Sequence, residues 1–239
     1  MQLDHYRLIN EADDKCKAFA DLTADIAYEE GGILFSEAFF LHLCVGQFEP
    51  LRIMESGRGK GTSTELLAKT FGDMPVVSID TVDDPVARER TSKYENVELH
   101  TGDSWKLMHE LSRSGDYILI DGPSGMDGLK LLLELFGTRK FEMGFLHDAG
   151  PGTPVREYVQ KHFGEAFYSD DPEFAEIAHV LDTKAEGSLP SDKTWAANEG
   201  KFGYGYGMIC LPYDARNNYG SMARKLKVSG LFGKLFGKK

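Results

Sequence analysis

The feature that most constrains the fold of this chain is a regular alternation of short apolar segments with longer helix-like ones. The strand-like segments cover residues 51–55, 76–80, 97–100, 117–121 and 143–147. Each is followed by a helix-like stretch, at 62–71, 85–93, 104–112, 128–136 and 155–163. Such an alternation predicts β-α-β units, in which parallel strands are joined by right-handed crossovers.

Two further strand-like segments, 177–181 and 206–211, follow without a long helix between them. This change of pattern predicts an antiparallel strand near the C-terminal end of the sheet. We therefore predict an α/β fold with a doubly wound, mostly parallel seven-stranded sheet and helices on both faces.

The pattern divides the 239 residues into three parts. Residues 1–50 are helical in pattern, with a break at Gly31-Gly32 and Ser36 as the N-cap of a second helix, and we expect them to pack on the core. Residues 51–214 form the predicted α/β domain, and residues 215–239 are a basic amphipathic tail. The long connection at 183–204 carries aromatic residues for which core packing and a ligand pocket are both open roles, namely Trp195, Phe202 and Tyr204.

Acidic residues or histidines stand where most of the predicted strands end. Ligands of open parallel sheets bind outside the carboxyl ends of the strands, so these side chains share the edge where a site is expected. They are Glu55, Asp80, His100 with Asp103, Asp121, and His147 with Asp148.

The turn after the first predicted strand, residues 55–61, carries three alternating glycines, Gly57, Gly59 and Gly61. Glycine allows a sharp turn and a close approach of a ligand to the backbone. The N–H groups at the start of the following helix attract an anionic group, which a carboxylate or a phosphate would satisfy equally. A plain tight turn between a strand and a helix is the alternative.

Asp80 ends the second predicted strand, 25 residues after Glu55. An acidic residue at this place in a dinucleotide-type fold accepts hydrogen bonds from ribose hydroxyls, although an aspartate there also serves as a helix cap. Asp103 and Ser104 follow the third strand, where they would lie beside the base of the same nucleoside or cap the next helix.

With these residues in place, the segment from about 51 to 183, together with the strand near 206, resembles the class I S-adenosylmethionine-dependent methyltransferases. Glu55 and the three glycines resemble the first motif of that family, Asp80 the second, Asp103 the third and Asp121 the fourth. The departure is that the first acidic residue is a glutamate followed by Ser56. The resemblance implies S-adenosylmethionine as cofactor, bound by residues Glu55, Ser56, Gly57, Gly59, Gly61, Asp80, Thr81, Asp103, Ser104 and Asp121.

The second half is similar to small-molecule and sugar O-methyltransferases, in which the counterparts of Asp121 and Asp148 hold a divalent cation. Two carboxylates suit Mg²⁺, which prefers oxygen ligands. The resemblance thus implies a metal site at Asp121 and Asp148 and catalytic roles for Asp121, His147 and Asp148. That branch shows His and an aromatic residue after Asp-Gly, whereas this chain has residues 123–126, Pro-Ser-Gly-Met, so metal dependence stays open.

If no metal is used, His147 or Asp148 would act as general base, while a packed strand-end histidine is the plainer role for His147. No Asn-Pro-Pro-aromatic motif follows the fourth strand, which favours an oxygen over a nitrogen as the methyl acceptor.

Two other functions remain open on sequence alone. Gly57–Thr62 also resembles part of the phosphate loop of nucleotide kinases, but that pattern requires glycine where Met54 stands, and the carboxylate of Glu55 would repel a polyphosphate. A non-catalytic binding module on the same fold is the second alternative, because acidic strand ends alone do not demonstrate turnover.

The net charge of −11 at pH 7 is unevenly distributed. Seven basic and no acidic residues follow Asp214, which leaves 20 basic against 38 acidic residues in the rest of the chain. A body this acidic argues against a nucleic-acid partner and favours a small-molecule or glycan acceptor. The pattern says nothing of oligomeric state, and the spacing of the three cysteines predicts free thiols.

Residues 224–239 place four apolar side chains on one helical face among lysines, namely Val228, Leu231, Phe232 and Leu235. The pattern fits an anionic membrane surface, with a lipid-linked glycan as acceptor, as well as it fits a solubilising tail. The N-terminus lacks a secretory signal and no apolar run is long enough to span a membrane, so we expect a cytosolic protein, with peripheral binding to the inner face of the membrane left open.

Overall fold

The computed structural model describes residues 3–29, 31–185 and 207–226. The aromatic residues of the long connection, Trp195, Phe202 and Tyr204, lie outside these ranges, as does the tail beyond residue 226.

Seven strands form one sheet in the order β3-β2-β1-β4-β5-β7-β6, which confirms the predicted doubly wound architecture. The first five strands pair in parallel, and β7 pairs antiparallel with both β5 and β6. The strands are β1 (Arg52–Ser56), β2 (Val76–Asp80), β3 (Val97–Thr101), β4 (Asp116–Ile120), β5 (Phe141–Leu146), β6 (Phe167–Tyr168) and β7 (Ile209–Pro212).

Helices cover both faces of this sheet, as the sequence predicts. One face packs against α1 (His5–Leu22), α2 (Phe35–Gly46), α3 (Thr62–Phe71) and α8 (Pro172–Ala178). The other packs against α5 (Ser104–Leu111), α6 (Gly125–Gly137), α7 (Pro154–His162) and α9 (Tyr219–Lys225), while α4 (Pro85–Thr91) lies against α3. Neighbouring residues of the central strands point to opposite cores, as Ile53 and Met54 do, which explains why apolar residues follow one another in these strands.

The two N-terminal helices belong to the same core as one face of the sheet. Phe39 and Phe40 of α2 are fully buried and pack against Phe174 of α8. The expectation that Ser36 caps α2 was wrong. The helix begins at Phe35, the Glu37 carboxylate accepts the N–H of Leu34 at 2.8 Å, and Ser36 lies in the first turn.

The predicted strand at 177–181 was also wrong, because these residues complete α8 and a 3-10 helix, His179–Lys184. Asp171 accepts the N–H of Glu173 as an N-cap, and Pro172 follows at the first helical position, a pair that starts a helix. The buried side chains Phe174, Ala178 and Leu181 recur at helical spacing. The edge strand is instead the short β6, which ends before this cap.

The described part of the chain contains no helix of the length and apolarity needed to cross a bilayer. All three cysteines are buried free thiols, as predicted from their spacing.

Candidate active site

The glycine turn between β1 and α3 packs directly against the loop that follows β4. Gly57 has a φ of +88°, and a Cβ at this position would lie 2.3 Å from the backbone nitrogen of Gly122. The Ser56 hydroxyl donates to the Gly122 carbonyl oxygen, and the Gly57 N–H donates to Ile79 O at 2.8 Å. The predicted cofactor turn and the loop that carries Asp121 are therefore in backbone contact.

Replacing Gly57 by alanine should destabilise the protein by about 3 kcal/mol, since a strained backbone conformation adds to a steric overlap with Gly122. Gly59→Ala is the matched control. Gly59 also has a positive φ, +49°, but nothing lies within 4 Å of its added Cβ, so only the conformational cost of about 1 kcal/mol applies. Urea unfolding of both variants measures the difference. Equal destabilisation would show that the contact between the two loops is not tight in solution.

Asp80 organises the same turn. Its Oδ2 accepts the backbone N–H groups of Arg58 and Gly59, each at 3.0 Å, and its Oδ1 accepts the N–H of Val82 at 2.9 Å. A carboxylate offers about four acceptor positions, so these bonds leave about one for a ligand hydroxyl. The sequence predicts that Asp80 accepts hydrogen bonds from ribose hydroxyls, and this geometry leaves room for about one such bond.

The Arg58 guanidinium braces the ends of two neighbouring strands beneath the turn. It donates to the carbonyl oxygens of His100 at 2.8 Å, Val82 at 3.1 Å and Ser78 at 3.2 Å, and only 3% of the residue is exposed. Its charge is therefore directed at the protein backbone. The ring of His100 lies beside Glu98 at 2.8 Å, so of His100 only the backbone carbonyl takes part.

A cavity of about 230 Å³ opens at the carboxyl ends of β1 to β4. Asp103 contributes to its wall while its Oδ1 caps α5 by accepting the Lys106 N–H at 2.9 Å, so both roles foreseen for Asp103 are compatible. Five predicted cofactor residues line this cavity together with three further ones: Gly57, Asp80, Thr81, Asp103 and Ser104 with Trp105, Gly122 and Pro123.

Glu55 does not reach this cavity. It is 0% exposed, and its Oε2 accepts the hydroxyls of Thr64 at 2.5 Å and Ser78 at 2.6 Å. Burial raises the pKa of Glu55 against the opposing effect of these hydroxyl hydrogen bonds. The expectation of a direct ligand contact is thus replaced by a bracing role under the turn, and the same holds for Ser56, which is also 0% exposed.

The remaining predicted residues meet around one imidazole ring. His147 follows β5, with its Nδ1 2.7 Å from Asp121 Oδ1 and 3.6 Å from Asp148 Oδ1. Its Nε2 lies 3.1 Å from Glu37 Oε2. Burial by itself would lower the pKa of His147, but Asp121 and Glu37 outweigh it and raise the pKa well above the usual value.

Access to this cluster is graded. The side chain of His147 is 5% exposed, that of Asp121 14%, and that of Asp148 44%. Asp148 adopts a φ of +55°, a region that aspartate tolerates better than most residues and that often marks functional sites. One ligand atom from each of the three lies within 4.8 Å of the others, a spacing at which they could share a metal ion.

Three buried acidic groups near this cluster were missed by the sequence analysis. Glu37 comes from α2, far away along the chain, and Asp182 accepts the N–H of Ser36 at 2.8 Å. Asp170 is paired with Arg156 at 2.9 Å, and the Arg156 guanidinium lies 3.6 Å from the centre of the Tyr168 ring. Only the position of Glu37, five residues after Gly32 at the end of the glycine break, offered a local signal, and it suggested a helix start.

Asp182 should make stability depend on pH. It is 0% exposed, and burial raises its pKa from 3.8 to about 7, against the hydrogen bond from Ser36. A raised pKa means that the stability contributed by the neutral carboxyl is fully present below pH 3.8 and is lost as the pH rises through about 7.

Asp182→Asn, which keeps an acceptor for Ser36, should therefore stabilise the protein relative to wild type by about 2 kcal/mol more at pH 8.5 than at pH 5. Urea unfolding at the two pH values measures this. Asp21→Asn, at a site 69% exposed, is the control. An Asp182→Asn effect that does not change with pH would contradict the expectation.

A larger groove of about 860 Å³ lies at the opposite edge, beside the amino ends of the strands. Its most buried charges, Arg52 and Asp116, are satisfied by each other at 2.6 and 3.0 Å. Because ligands of parallel sheets bind at the carboxyl ends, we place the candidate site at the smaller cavity.

No family model matches the chain. One curated protein, ribosomal RNA small subunit methyltransferase A of Thermotoga petrophila, is 50% identical over 54 residues, which are 23% of this chain and 21% of that protein. The match therefore spans about a fifth of the relative's length.

Among solved structures, the chain is similar to the O-methyltransferase TomG of Streptomyces achromogenes, involved in tomaymycin synthesis and in complex with S-adenosylmethionine, at a TM-score of 0.47 and 15% identity over 89% of this chain and 92% of that one. It is also similar to an O-methyltransferase of Bacillus cereus in complex with S-adenosylhomocysteine, at a TM-score of 0.48 and 15% identity over 89% and 92% of the two chains.

Proposed function

We propose that this chain is a class I S-adenosylmethionine-dependent methyltransferase that methylates a hydroxyl oxygen of a small molecule or sugar. The observation that carries the proposal is the cavity at the carboxyl ends of β1 to β4. Its walls combine a glycine turn, the Asp80 carboxylate and the Trp105 ring, the groups that a nucleoside with a charged side arm requires.

The residues around the cavity divide the cofactor among them. Asp80 accepts a ribose hydroxyl, Trp105 offers an aromatic surface to the base, and Asp103 and Ser104 lie beside it. The Trp105 indole N–H donates to Glu134 at 2.7 Å, which fixes the orientation of the ring. Gly57 lines the cavity without a side chain, and Gly59 and Gly61 shape the turn beside it, so a cofactor can approach the backbone closely. When bound, the cofactor supplies an electrophilic sulfonium methyl group.

Asp121, His147 and Asp148 handle the acceptor in this proposal. The methyl group moves from the sulfonium to the acceptor oxygen while the hydroxyl proton leaves to a base, and when no ion is bound we assign that role to Asp148, the most exposed member of the cluster. Within this cluster, Asp121 is the member next to the cofactor turn, so it fixes the distance between the methyl donor and the acceptor. The three side chains also fit a divalent cation, which would lower the pKa of the acceptor hydroxyl.

The kinase alternative is disfavoured by where the turn directs its polar groups. The N–H groups of Arg58 and Gly59, which a phosphate would need, both point at the Asp80 carboxylate. The ammonium group of Lys60 lies 2.6 Å from Glu29. A polyphosphate here would displace one carboxylate and face a second.

Calorimetric titration of the full chain with S-adenosylhomocysteine and, in parallel, with ATP, each with and without Mg²⁺, tests the proposal. We expect one site for S-adenosylhomocysteine and no heat from ATP. Binding of ATP alone would replace the proposal with the kinase alternative. Binding of S-adenosylhomocysteine without methyl transfer to any hydroxyl acceptor would support the non-catalytic module instead.

The acceptor class rests on charge. Up to Asp214 the chain has 20 basic and 38 acidic residues, which makes a poor surface for RNA. The short match described above is nevertheless to a protein named as a ribosomal RNA methyltransferase. We therefore favour a small-molecule or glycan acceptor. Within this proposal, residues 51–214 form the catalytic domain and 1–50 complete it through Glu37.

A second proposal concerns residues 224–239. Their basic residues and single apolar face favour an anionic lipid surface, where each lysine adds attraction. Co-sedimentation with vesicles containing phosphatidylglycerol should pellet the full chain but not a chain ending at Leu226, which keeps the buried helix α9. Equal pelleting of the two would exclude the membrane role, and vesicles of phosphatidylcholine alone serve as the control.

A further inference from the structure

The cluster behind β4 and β5 mixes nitrogen and oxygen donors. Nδ1 of His147 lies 2.7 Å from Asp121 Oδ1 and 3.6 Å from Asp148 Oδ1. Backbone hydrogen bonds anchor the main chain at two of the three residues, Asp121 through its N–H to Ser56 O and His147 through its N–H to Ile120 O at 3.0 Å. The arrangement is therefore one imidazole and two carboxylates converging from the ends of adjacent strands.

Glu37 is the residue that sets the orientation of this imidazole. Its Oε2 lies 3.1 Å from His147 Nε2 and also accepts the Leu34 N–H at 2.8 Å. Glu37 is 1% exposed and sits in the first turn of α2, a helix anchored by buried phenylalanines. A carboxylate that accepts Nε2–H holds the ring so that Nδ1 faces Asp121 and Asp148, where a bound ion would take the place of the proton that Nδ1 shares with Asp121 at 2.7 Å.

We propose that Asp121, His147 and Asp148 bind a divalent first-row transition-metal ion in preference to Mg²⁺, and that Glu37 is the positioning residue that presents His147 Nδ1 to it. The sequence predicts a site made of two aspartates. The proposal adds His147 as a nitrogen ligand and Glu37 as the carboxylate partner of that histidine. Its link to catalysis rests on the proposed methyltransferase function, but ion binding is measured without turnover.

The chemistry of the donors carries the preference. Mg²⁺ favours six oxygen ligands and rarely accepts imidazole. Nitrogen donors favour the later ions, whose affinities rise from Mn²⁺ through Co²⁺ to Ni²⁺. The carboxylate–histidine pair, Glu37 with His147, is the arrangement that most metal-binding histidines show on their second nitrogen. A histidine used only for packing would not need two converging carboxylates on its other side.

Calorimetric titration of the metal-free full chain with Co²⁺, Mn²⁺ and Mg²⁺ is the first test. We expect Co²⁺ to bind at least about tenfold more tightly than Mg²⁺. The visible absorption of bound Co²⁺ reports a nitrogen ligand independently of affinity. Titration of the same samples with S-adenosylhomocysteine gives a second, separate reading of the cofactor cavity.

Two variants separate the roles. His147→Asn should weaken Co²⁺ binding at least about tenfold and leave Mg²⁺ binding within threefold, because only the nitrogen ligand is lost. Glu37→Gln should weaken Co²⁺ binding about 10- to 100-fold with the Co²⁺ spectrum altered, since the partner of Nε2 changes. Glu98→Gln is the matched control, because Glu98 pairs with His100 Nε2 at 2.8 Å on β3, away from the cluster. It should change neither value.

Two results would overturn the proposal: Mg²⁺ that binds as tightly as Co²⁺, or flat titrations with every ion. The second result would mean that His147 itself supplies the positive charge beside these carboxylates. Should Glu37→Gln fail to fold, the ion preference and Co²⁺ spectrum of the wild-type chain and of His147→Asn still decide it. Co²⁺ binding without binding of S-adenosylhomocysteine would contradict the proposed function while supporting this site. Binding of S-adenosylhomocysteine by a chain that binds none of the ions would support the proposed function and contradict this metal site.

Discussion

Replacing Asp80 by alanine should weaken binding of S-adenosylhomocysteine about 30-fold. The carboxylate is expected to accept one ribose hydroxyl, and a hydrogen bond to a charged acceptor contributes about 1.5–3 kcal/mol. The substitution also frees the N–H groups of Arg58 and Gly59, which hold the turn in shape. Calorimetric titration measures the affinity, and thermal unfolding of the variant and of wild type checks that the substitution has not unfolded the protein.

Asp83→Ala is the control for this change. It removes the same charge from the same loop, but Asp83 is exposed and pairs only with Arg88 at the surface. Asp80→Asn should fall between the two, because the amide oxygen keeps one acceptor without the charge. If Asp80→Ala binds S-adenosylhomocysteine within threefold of wild type, the cavity does not hold the ribose and the proposed cofactor site is wrong.

Replacing Asp148 by alanine should leave binding of S-adenosylhomocysteine within twofold and lower methyl transfer at least about 100-fold, the usual contribution of a positioned base. Asp148 lies outside the cofactor cavity, and its side chain is the most exposed of the cluster, where an acceptor can approach. The loss is measured as the initial rate of methyl transfer from labelled S-adenosylmethionine to a hydroxyl compound that the wild-type chain methylates.

Asp214→Ala, which removes a partly exposed carboxylate just after the C-terminal end of β7, is the control and should not change the rate. An Asp148→Ala variant with intact turnover would remove Asp148 from the mechanism. A loss of cofactor binding together with turnover would instead mean that Asp148 supports the fold of the loop after β5.

The sequence was sufficient to predict the sheet because each of the first five strands is followed by a helix, and because β1, β2 and β4 are almost wholly buried, unlike β3 at the edge. It failed at 177–181, where five apolar or neutral residues fit a strand as well as a helix and the helix cap at Asp171-Pro172 decided the outcome. Short apolar runs do not distinguish the two structures by periodicity.

The site shows a similar division. Residues that follow a strand end, such as Asp80, Asp103 and Asp121, could be foreseen because the topology of the sheet brings strand ends together. Glu37 could not, since its approach to His147 depends on how α2 packs across one face of the sheet, a contact over 110 residues of sequence. Whether Glu55 faced the ligand or the interior also depended on packing, with Thr64 and Ser78 enclosing it.

The contact between Gly57 and Gly122 has a consequence for how such an enzyme could change over evolution. In the proposed enzyme, the turn that holds the methyl donor and the loop that presents Asp121 meet through main-chain atoms and the Ser56 hydroxyl, so this short contact sets the alignment of the two substrates. Residues that line the approach to Asp148 can then vary, and with them the molecule accepted, without disturbing that alignment. New acceptor preferences would arise by changes at the rim, whereas even one added methyl group at Gly57 would impair transfer to every acceptor alike.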